Sequence, residues 1–341
     1  MTILAPYADA HRDPQGPGDA RPTALQVVKD QDLVGKWKDK VVLITGCTSG
    51  IGVETARAMA STGAKVYITA RRMEVGKSVA EKITKEFGRE VEVIELTLDS
   101  FDSIRNAAAA FLQKSQQLNI LINNAGVMAA PEGRTADGFE TQFGTNHLGH
   151  FLLFQLLKGA LLSSSSPSFG SRVISVASSA HRKTGVHFGN YNFDKDPNDT
   201  YEPWKAYGQS KTANIWFANE LDRRYGAKGL HAFSLHPGGM MTELQRYTPN
   251  AADGLDERQK KQMKSNEQGA ATSVWAAVAK ELEGKGGIYL DDVQESEPWE
   301  KDPTRSPLGP DGGHYSYVYD KPSEERLWKD SLEMVGLPDD A

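Results

Sequence analysis

Short apolar runs rich in branched side chains alternate along the chain with longer segments whose apolar positions recur at helical spacing. The run VVLIT at residues 41–45 is typical of a strand that is buried on both faces. The pattern predicts strands at residues 41–45, 65–69, 91–96, 119–122, 172–177, 230–235 and 287–290. It predicts helices at residues 53–61, 74–87, 101–116, 138–162, 203–225 and 266–281. This alternation favours an α/β fold with a doubly wound parallel sheet of about seven strands and helices on both faces.

The same pattern suggests how the chain is divided. Residues 1–36, which begin with a stretch rich in Pro, Gly and Asp, are expected to form a flexible arm, and residues 37–295 a single catalytic domain. Residues 182–203 and 240–265 interrupt the alternation and are expected to be insertions on the substrate side. The aromatic residues of 182–203 suggest a pocket wall for an apolar or ring-bearing substrate, although packing at the surface explains them nearly as well. Residues 296–341 are expected to be a C-terminal tail.

Composition narrows the class of protein. The 341 residues carry 39 basic and 45 acidic side chains, and the net charge of −6 argues against a nucleic-acid binder. Cys47 has no second cysteine to pair with, which fits a reducing compartment. The N-terminus lacks the apolar segment of a signal peptide, and no apolar stretch is long enough for a membrane anchor. We therefore expect a cytoplasmic protein.

Three glycines, Gly46, Gly50 and Gly52, follow the first predicted strand and open a helix. Such a turn places backbone N–H groups and the positive end of a helix at one point, which favours a phosphate. The second strand ends at Arg71 without the acidic residue that usually binds the ribose of NAD, so an arginine pairing with a 2′-phosphate favours NADP. The alternatives are a tight turn without a ligand, and an Arg71–Arg72 pair that only begins a solvated helix.

Tyr207 and Lys211 are four residues apart near the start of a predicted helix and therefore share one face. A neighbouring ammonium stabilises a phenolate and so lowers the pKa of the phenol. A tyrosine of this kind can give or take a proton near neutral pH. Taken alone, the pair is weak evidence, because a partly exposed helical pair has the same spacing by chance.

Several motifs occur together in a fixed order. They are TGCTSGIG at residues 45–52, NNAG at 123–126, YGQSK at 207–211 and HPGGMMTEL at 236–244. With Ser178 after the fifth strand, the chain resembles the short-chain dehydrogenase/reductase family over about residues 38–292, which implies a Rossmann fold. FGTNHLGHF (143–151), RVISVASSAH (172–181) and SKTANIWFANEL (210–221) look closest to retinol dehydrogenase-like and WW-domain-oxidoreductase-like proteins.

The resemblance implies four catalytic residues. Tyr207 is the general acid in reduction and the base in oxidation, and Lys211 lowers the pKa of that tyrosine and contacts the nicotinamide ribose. Ser178 holds the substrate oxygen, with Ser179 as a rival, and Asn146 holds a water beside Lys211. The implied cofactor contacts are Gly46, Ser49, Gly50, Ile51, Gly52, Arg71, Asp99, Asn124, Ala125, Gly126, Tyr207, Lys211, Pro237, Gly238 and Thr242.

Two further pairs of residues have a spacing that suggests a shared role. His147 and His150 are three residues apart, but no acidic or cysteine partner stands at a suitable spacing, so no metal is expected. Trp216 and Phe217 lie on the helix of Tyr207. Because this helix is often a dimer face in the family, a homodimer is one expectation, and burial under the C-terminal tail is an equal alternative.

Together these observations predict an NADP-dependent oxidoreductase that transfers a hydride between the nicotinamide and a small-molecule carbonyl or secondary alcohol. Two alternatives stay open at this point. The first is a non-redox step in the same site, such as epimerisation or dehydration, and the second is a non-catalytic protein that binds NADP(H) to regulate a partner. Intact Asn146, Ser178, Tyr207 and Lys211 favour the enzyme.

Overall fold

The computed structural model describes residues 3–250, 253–299 and 312–339. Its strands are β1 (Val41–Ile44), β2 (Lys65–Ala70), β3 (Val91–Glu95), β4 (Ile120–Asn123), β5 (Ser171–Val176), β6 (Leu230–His236), β7 (Ile288–Asp291) and β8 (Gln294–Glu295). Its α-helices are α1 (Ala8–His11), α2 (Ala24–Asp30), α3 (Ile51–Ser61), α4 (Met73–Phe87), α5 (Phe101–Lys114), α6 (Thr141–Phe143), α7 (Gly149–Ser163), α8 (Pro203–Tyr225), α9 (Glu257–Gln262), α10 (Asn266–Gly269), α11 (Ala271–Val278) and α12 (Lys321–Met334).

These strands form one sheet in the order β3-β2-β1-β4-β5-β6-β7-β8. The first seven are parallel, and β8 pairs with β7 in the antiparallel direction. Val42 of β1 lies opposite Val66 of β2 and Ile120 of β4, so the order reverses beside β1. The α/β class with a doubly wound parallel sheet is confirmed, and β8 adds a short edge that the sequence pattern did not predict. In such sheets, the carboxyl ends of the strands beside the reversal form the usual ligand crevice.

Helices cover both faces of the sheet. Helices α3, α10, α11 and α2 pack together on one face, and α5, α7, α8 and α12 pack together on the other. Each face has its own apolar core, and β1 is buried on both sides, which explains its uninterrupted apolar sequence. Within the described residues, no helix is long and apolar enough to cross a membrane.

The N-terminal arm differs from the loose segment expected. Val27 and Val28 of α2 are fully buried against α3 and α11. The side chain of Thr23 caps the helix by accepting a hydrogen bond from the backbone N–H of Gln26. Arg21 is also buried. Because α2 supplies apolar side chains to one of the two cores, the second half of the arm is part of the domain rather than an appendage.

The C-terminal helix α12 covers the helix on which a dimer face was expected. Trp328 stacks on Phe217 with ring centroids 6.1 Å apart, and the Trp216 indole N–H donates to the carbonyl oxygen of Tyr317 at 2.9 Å. Both Trp216 and Phe217 are buried in this way within a single chain. The alternative of burial under the tail is therefore what the structure shows, and the apolar pair no longer argues for a homodimer.

The aromatic side chains of residues 182–203 are packed elsewhere than expected. Phe188 stacks on Trp216, and Tyr191 stacks on Phe143 while its hydroxyl donates to Asp330 of α12. None of residues 182–203 lines the large cavity described below. The expectation that this insertion forms a wall of the substrate pocket is therefore wrong, because Phe188 and Tyr191 pack against α6, α8 and α12, and Phe193 packs edge-on against Tyr201.

Candidate active site

A cavity of about 610 Å³ opens at the carboxyl ends of the strands on both sides of β1. This volume is within the range that small-molecule and cofactor sites usually have. It contains every cofactor-binding residue expected from the sequence, together with Ser178, Tyr207 and Lys211. Asn146 is the exception, because it lies behind the cavity wall and does not line it. The strand order thus brings together residues that are up to 196 positions apart, from Gly46 to Thr242.

The glycine turn after β1 forms one end of the cavity. Gly46 has a φ of 74°, and a Cβ at this position would lie 2.7 Å from the Cα of Ala125. A Cβ on Gly52 would lie 2.6 Å from the Asn124 amide nitrogen and would collide with the Gly46 carbonyl. Helix α3 begins at Ile51, so its free N–H groups face the cavity. The turn fits a pyrophosphate, because only glycines allow this close backbone approach next to a helix N-terminus.

Arg71 and Asp99 lie beyond the glycine turn, where the second and third strands end. Both line the cavity, and Arg71 is exposed. Among the residues that the structure describes, Arg71 pairs with no carboxylate, whereas Arg72 does not reach the cavity. The guanidinium of Arg71 is therefore available for an anionic ligand at this end.

A buried hydrogen-bond chain connects the first strand, the NNAG motif and helix α7. The hydroxyl of Thr45 accepts from the backbone N–H groups of Asn124 and Ala125, each at 3.0 Å. The Thr45 hydroxyl in turn donates to Nε2 of His150 at 2.9 Å. Nδ1 of His150 lies 2.9 Å from the carbonyl oxygen of Asn146. This arrangement requires the neutral His150 tautomer with the proton on Nδ1, in agreement with burial, which lowers its pKa to about 4.

Asn146 lies in a five-residue π-helical segment, Gly144–Leu148, between α6 and α7. The expected long helix at 138–162 is interrupted there. The side-chain amide of Asn146 accepts from the Val127 N–H at 2.8 Å and donates to the Val127 carbonyl and the Ser210 hydroxyl, each at 2.9 Å. The side-chain polar atoms of Asn146 are thus committed to protein partners. Nε2 of His147 lies 2.8 Å from the Ser331 hydroxyl of α12.

The catalytic tyrosine and lysine expected from the sequence project from α8 into the cavity. The Lys211 ammonium lies 5.5 Å from the centre of the Tyr207 ring and donates to the Val176 carbonyl at 2.9 Å. Burial lowers the pKa of Lys211 to about 7. Burial also raises the pKa of Tyr207 to about 12, although a hydrogen bond with Ser178 acts in the opposite direction. The expected lowering of the tyrosine pKa by Lys211 is not what this structure gives, because desolvation of the phenolate dominates.

Ser178 and Ser179 both line the cavity, but they have different partners. The Ser178 hydroxyl contacts Tyr207 and accepts from the Ala180 N–H at 3.1 Å. The Ser179 N–H donates to Nδ1 of His236 at 3.2 Å. Ser178 is therefore the serine whose hydroxyl faces the phenol.

The far end of the cavity is apolar, and sequence reasoning assigned none of its residues. Met128 packs with Trp204 and Leu244 beside Tyr207, and Met263 adds a fourth apolar wall residue. Two signals were present in the sequence. Met128 is the second residue after the NNAG motif. Trp204 precedes Tyr207 by three positions, which places Trp204 and Tyr207 on one face of α8. Of the two predicted insertions, residues 240–265 contribute to this wall and residues 182–203 do not.

The model of the short chain dehydrogenase family matches residues 40–195 of this chain. The chain is 49% identical over 339 residues to the short-chain dehydrogenase/reductase prx1 of Penicillium roqueforti, covering 97% of this chain and 95% of that protein. It is 38% identical over 306 residues to human retinol dehydrogenase 11, covering 88% of this chain and 87% of that protein. A solved RhlG/NADP active-site complex of Pseudomonas aeruginosa superposes with a TM-score of 0.60 at 25% identity, covering 74% of this chain and 94% of that chain.

The fold and the site therefore define a Rossmann-fold oxidoreductase. The chain belongs to the short-chain dehydrogenase/reductase family, in its retinol dehydrogenase-like branch.

Proposed function

We propose that the protein is an NADP(H)-dependent oxidoreductase that interconverts a carbonyl and a secondary alcohol, with Tyr207 as the general acid and base. The observation that carries this proposal is the shared cavity. It joins a phosphate-type turn and a free arginine at one end to Ser178, Tyr207 and Lys211 near the other. The nicotinamide supplies or accepts the hydride when the cofactor is bound. The protein supplies binding, orientation and the proton.

In the reductive direction Tyr207 gives its proton to the substrate oxygen. With a pKa raised by burial, the phenol is fully protonated at neutral pH and is ready to act as an acid. Ser178 donates a hydrogen bond to the same oxygen and thereby stabilises the negative charge that develops on it. Lys211 places a positive charge near the phenolate that remains.

The apolar far end of the cavity favours a substrate whose carbonyl belongs to a mostly hydrocarbon body. Met128, Trp204 and Leu244 surround the position beside Tyr207 and carry no charge, while the charged side chains of residues 240–265 that line the cavity are Glu243 and Arg246. Burial of apolar substrate surface against these side chains contributes binding free energy in proportion to area. Of the two segments expected on the substrate side, residues 240–265 supply this wall.

The proposal is tested by following the absorbance of the reduced nicotinamide while the purified protein receives NADPH or NADH with a panel of aromatic, steroid-like and aliphatic ketones and aldehydes. We expect oxidation of NADPH with the more apolar members. Thermal shift with each cofactor alone gives a readout that does not depend on knowing the substrate. A protein that binds neither cofactor would contradict the interpretation of the glycine turn and Arg71.

We expect Arg71→Ala to raise the KM for NADPH about tenfold, because the variant loses the hydrogen bonds from the guanidinium to the 2′-phosphate. A tenfold change corresponds to about 1.4 kcal/mol, which is near the lower end of what hydrogen bonds to charged groups contribute. The KM for NADH should change far less, since NADH lacks the 2′-phosphate. Arg72→Ala is the matched control, because Arg72 is also exposed but does not line the cavity. An equal change in both KM values would show that Arg71 does not select the cofactor.

The rate of reduction should fall as the pH rises through about 7. Burial lowers the pKa of Lys211 to about 7, so the charged form that favours the phenolate exists below this value and is lost above it. Tyr207 stays protonated throughout, because its pKa is about 12. The profile of kcat/KM against pH measures this ionisation. In Lys211→Arg the positive charge persists at all these pH values, so the inflection should vanish. If the inflection remains in this variant, the ionisation belongs to a group other than Lys211.

A further inference from the structure

Residues 253–265 are the second half of the insertion that forms the wall at the apolar end of the cavity. Near its C-terminal end, this segment is hydrogen-bonded to Arg21 of the N-terminal arm. We call these residues the return leg. Met263 and Leu255 of the return leg line the cavity. Helix α9 forms the middle of the return leg, and its last carbonyls have no partner within the helix. Arg21 supplies the missing donors, although it lies 241 positions before Gln262.

The guanidinium of Arg21 binds several of these backbone oxygens at once. It donates to the carbonyl of Met263 at 2.6 Å, to that of Gln262 at 2.8 Å and to that of Lys261 at 3.3 Å. A cation at the C-terminus of a helix is also favoured by the helix dipole. Because only 5% of Arg21 is exposed, water competes little for these hydrogen bonds.

Arg21 is itself fixed in place by two polar side chains. Nε of Arg21 donates to Asp19 Oδ1 at 2.8 Å. Burial raises the pKa of the Asp19 carboxyl, but hydrogen bonds from Arg21 and from the Gln15 N–H outweigh burial and hold it at about 2, so the carboxylate is charged. The Gln268 amide donates to Asp19 and to the Arg21 carbonyl, and its oxygen accepts from the Ser265 N–H at 3.0 Å. These contacts orient the guanidinium of Arg21 toward the carbonyls of the return leg.

Resting on the proposed function, we propose that Arg21 is a positioning residue for the substrate: it fixes the return leg and so sets the shape of the apolar wall at Leu255 and Met263. Its action on the substrate passes through the Met263 backbone. The arm joins the apolar core through Val27 and Val28 of α2, whereas the guanidinium of Arg21 contacts the return leg. Gly46 and Arg71 follow β1 and β2 at the phosphate end of the cavity. The return leg meets the expected cofactor contacts at Pro237, whose carbonyl accepts from Nζ of Lys264 at 3.4 Å.

The test compares Arg21→Gln with Arg12→Gln in the full-length protein. Arg12 is the matched control, because it lies on the same arm but is exposed, and among the described residues its ion pair is with Asp9. Hydrogen–deuterium exchange of the return leg needs no substrate and is measured first. We expect exchange at residues 257–265 to accelerate at least about tenfold in Arg21→Gln, because charge-assisted hydrogen bonds to the helix end are lost. Exchange in α8 should not change, and Arg12→Gln should match the wild type.

Steady-state kinetics with the best carbonyl of the panel then locate the effect. Arg21→Gln should raise the KM for the carbonyl about tenfold while kcat and the KM for NADPH stay within about twofold. Arg21→Lys keeps the charge but offers fewer donors, so it should fall between the wild type and Arg21→Gln. It also provides the measurement if Arg21→Gln does not fold. Unchanged exchange in the return leg, or a KM for NADPH that rises as much as that for the carbonyl, would overturn the proposal.

These readouts separate this proposal from the proposed function. If no carbonyl of the panel is turned over but hydrogen exchange in the return leg accelerates in Arg21→Gln, Arg21 does fix the return leg and the proposed activity is rejected. If turnover is found and exchange is unaffected, the activity stands and the role of Arg21 is rejected.

Discussion

Tyr207→Phe should reduce turnover by roughly 10²- to 10⁴-fold, the range that general acid–base groups usually contribute. The substitution removes the only atom through which Tyr207 gives or takes a proton, and it keeps the ring. The ring packs beside Met128 and Ala180 in a small apolar cluster, so the variant should fold normally. Cofactor affinity, measured by thermal shift with NADPH, should stay close to that of the wild type.

Tyr7→Phe is the control for loss of a phenol hydroxyl. Tyr7 bonds to Asp30 and does not line the cavity, so its turnover should be that of the wild type. The assay follows oxidation of the reduced nicotinamide under saturating NADPH. A Tyr207→Phe variant with full turnover would remove Tyr207 from the mechanism and point to another proton source in the cavity.

The second large effect concerns stability. Trp328→Ala should lower the free energy of unfolding by about 3–5 kcal/mol, the usual cost of removing a large aromatic side chain from a core. Trp328 is 1% exposed, stacks on Phe217 and meets Phe151 edge-on with ring centroids 5.0 Å apart. The guanidinium of Arg224 lies over its ring at 4.9 Å. Urea denaturation monitored by circular dichroism measures the loss.

Trp328→Phe is the matched variant for this prediction. The indole N–H of Trp328 is buried without a partner among the described residues, so phenylalanine removes an unsatisfied donor while retaining most of the ring contacts. The destabilisation should therefore be well below that of Trp328→Ala. If Trp328→Ala unfolds at the same urea concentration as the wild type, helix α12 does not contribute to the core in the way the structure places it.

Local signals in the sequence predicted the sheet and most of the site. Val41–Ile44 is apolar without interruption because both of its faces are covered, and the glycines after it are required by close backbone contacts such as that of Gly46 with Ala125. The apolar run and the glycine spacing are both visible within a few residues of sequence, although the contacts that require them come from distant parts of the chain. The motifs that follow the other strands then converge, because parallel strands end at the same edge of the sheet.

Long-range packing could not be read in the same way. Phe188 and Tyr191 look like pocket residues in the sequence, yet their partners are Trp216 and Phe143, which only the folded chain brings near. In the sequence, nothing distinguishes Arg21 from the other polar residues of the arm. Its role depends on the carbonyls of Lys261 and Gln262, which lie 240 or more positions later in the chain. The pKa of Tyr207 likewise depends on burial, which the spacing to Lys211 does not reveal.

The most direct test of the central claim is the fate of the hydrogen on the nicotinamide. NADPH carrying deuterium at the transferable ring position is incubated with the protein and the best carbonyl of the panel, and the alcohol is analysed by mass spectrometry. Hydride transfer predicts one deuterium on the former carbonyl carbon for each NADPH consumed. Product that forms without deuterium, while NADPH is not consumed, would contradict the account and identify the reaction as a non-redox one.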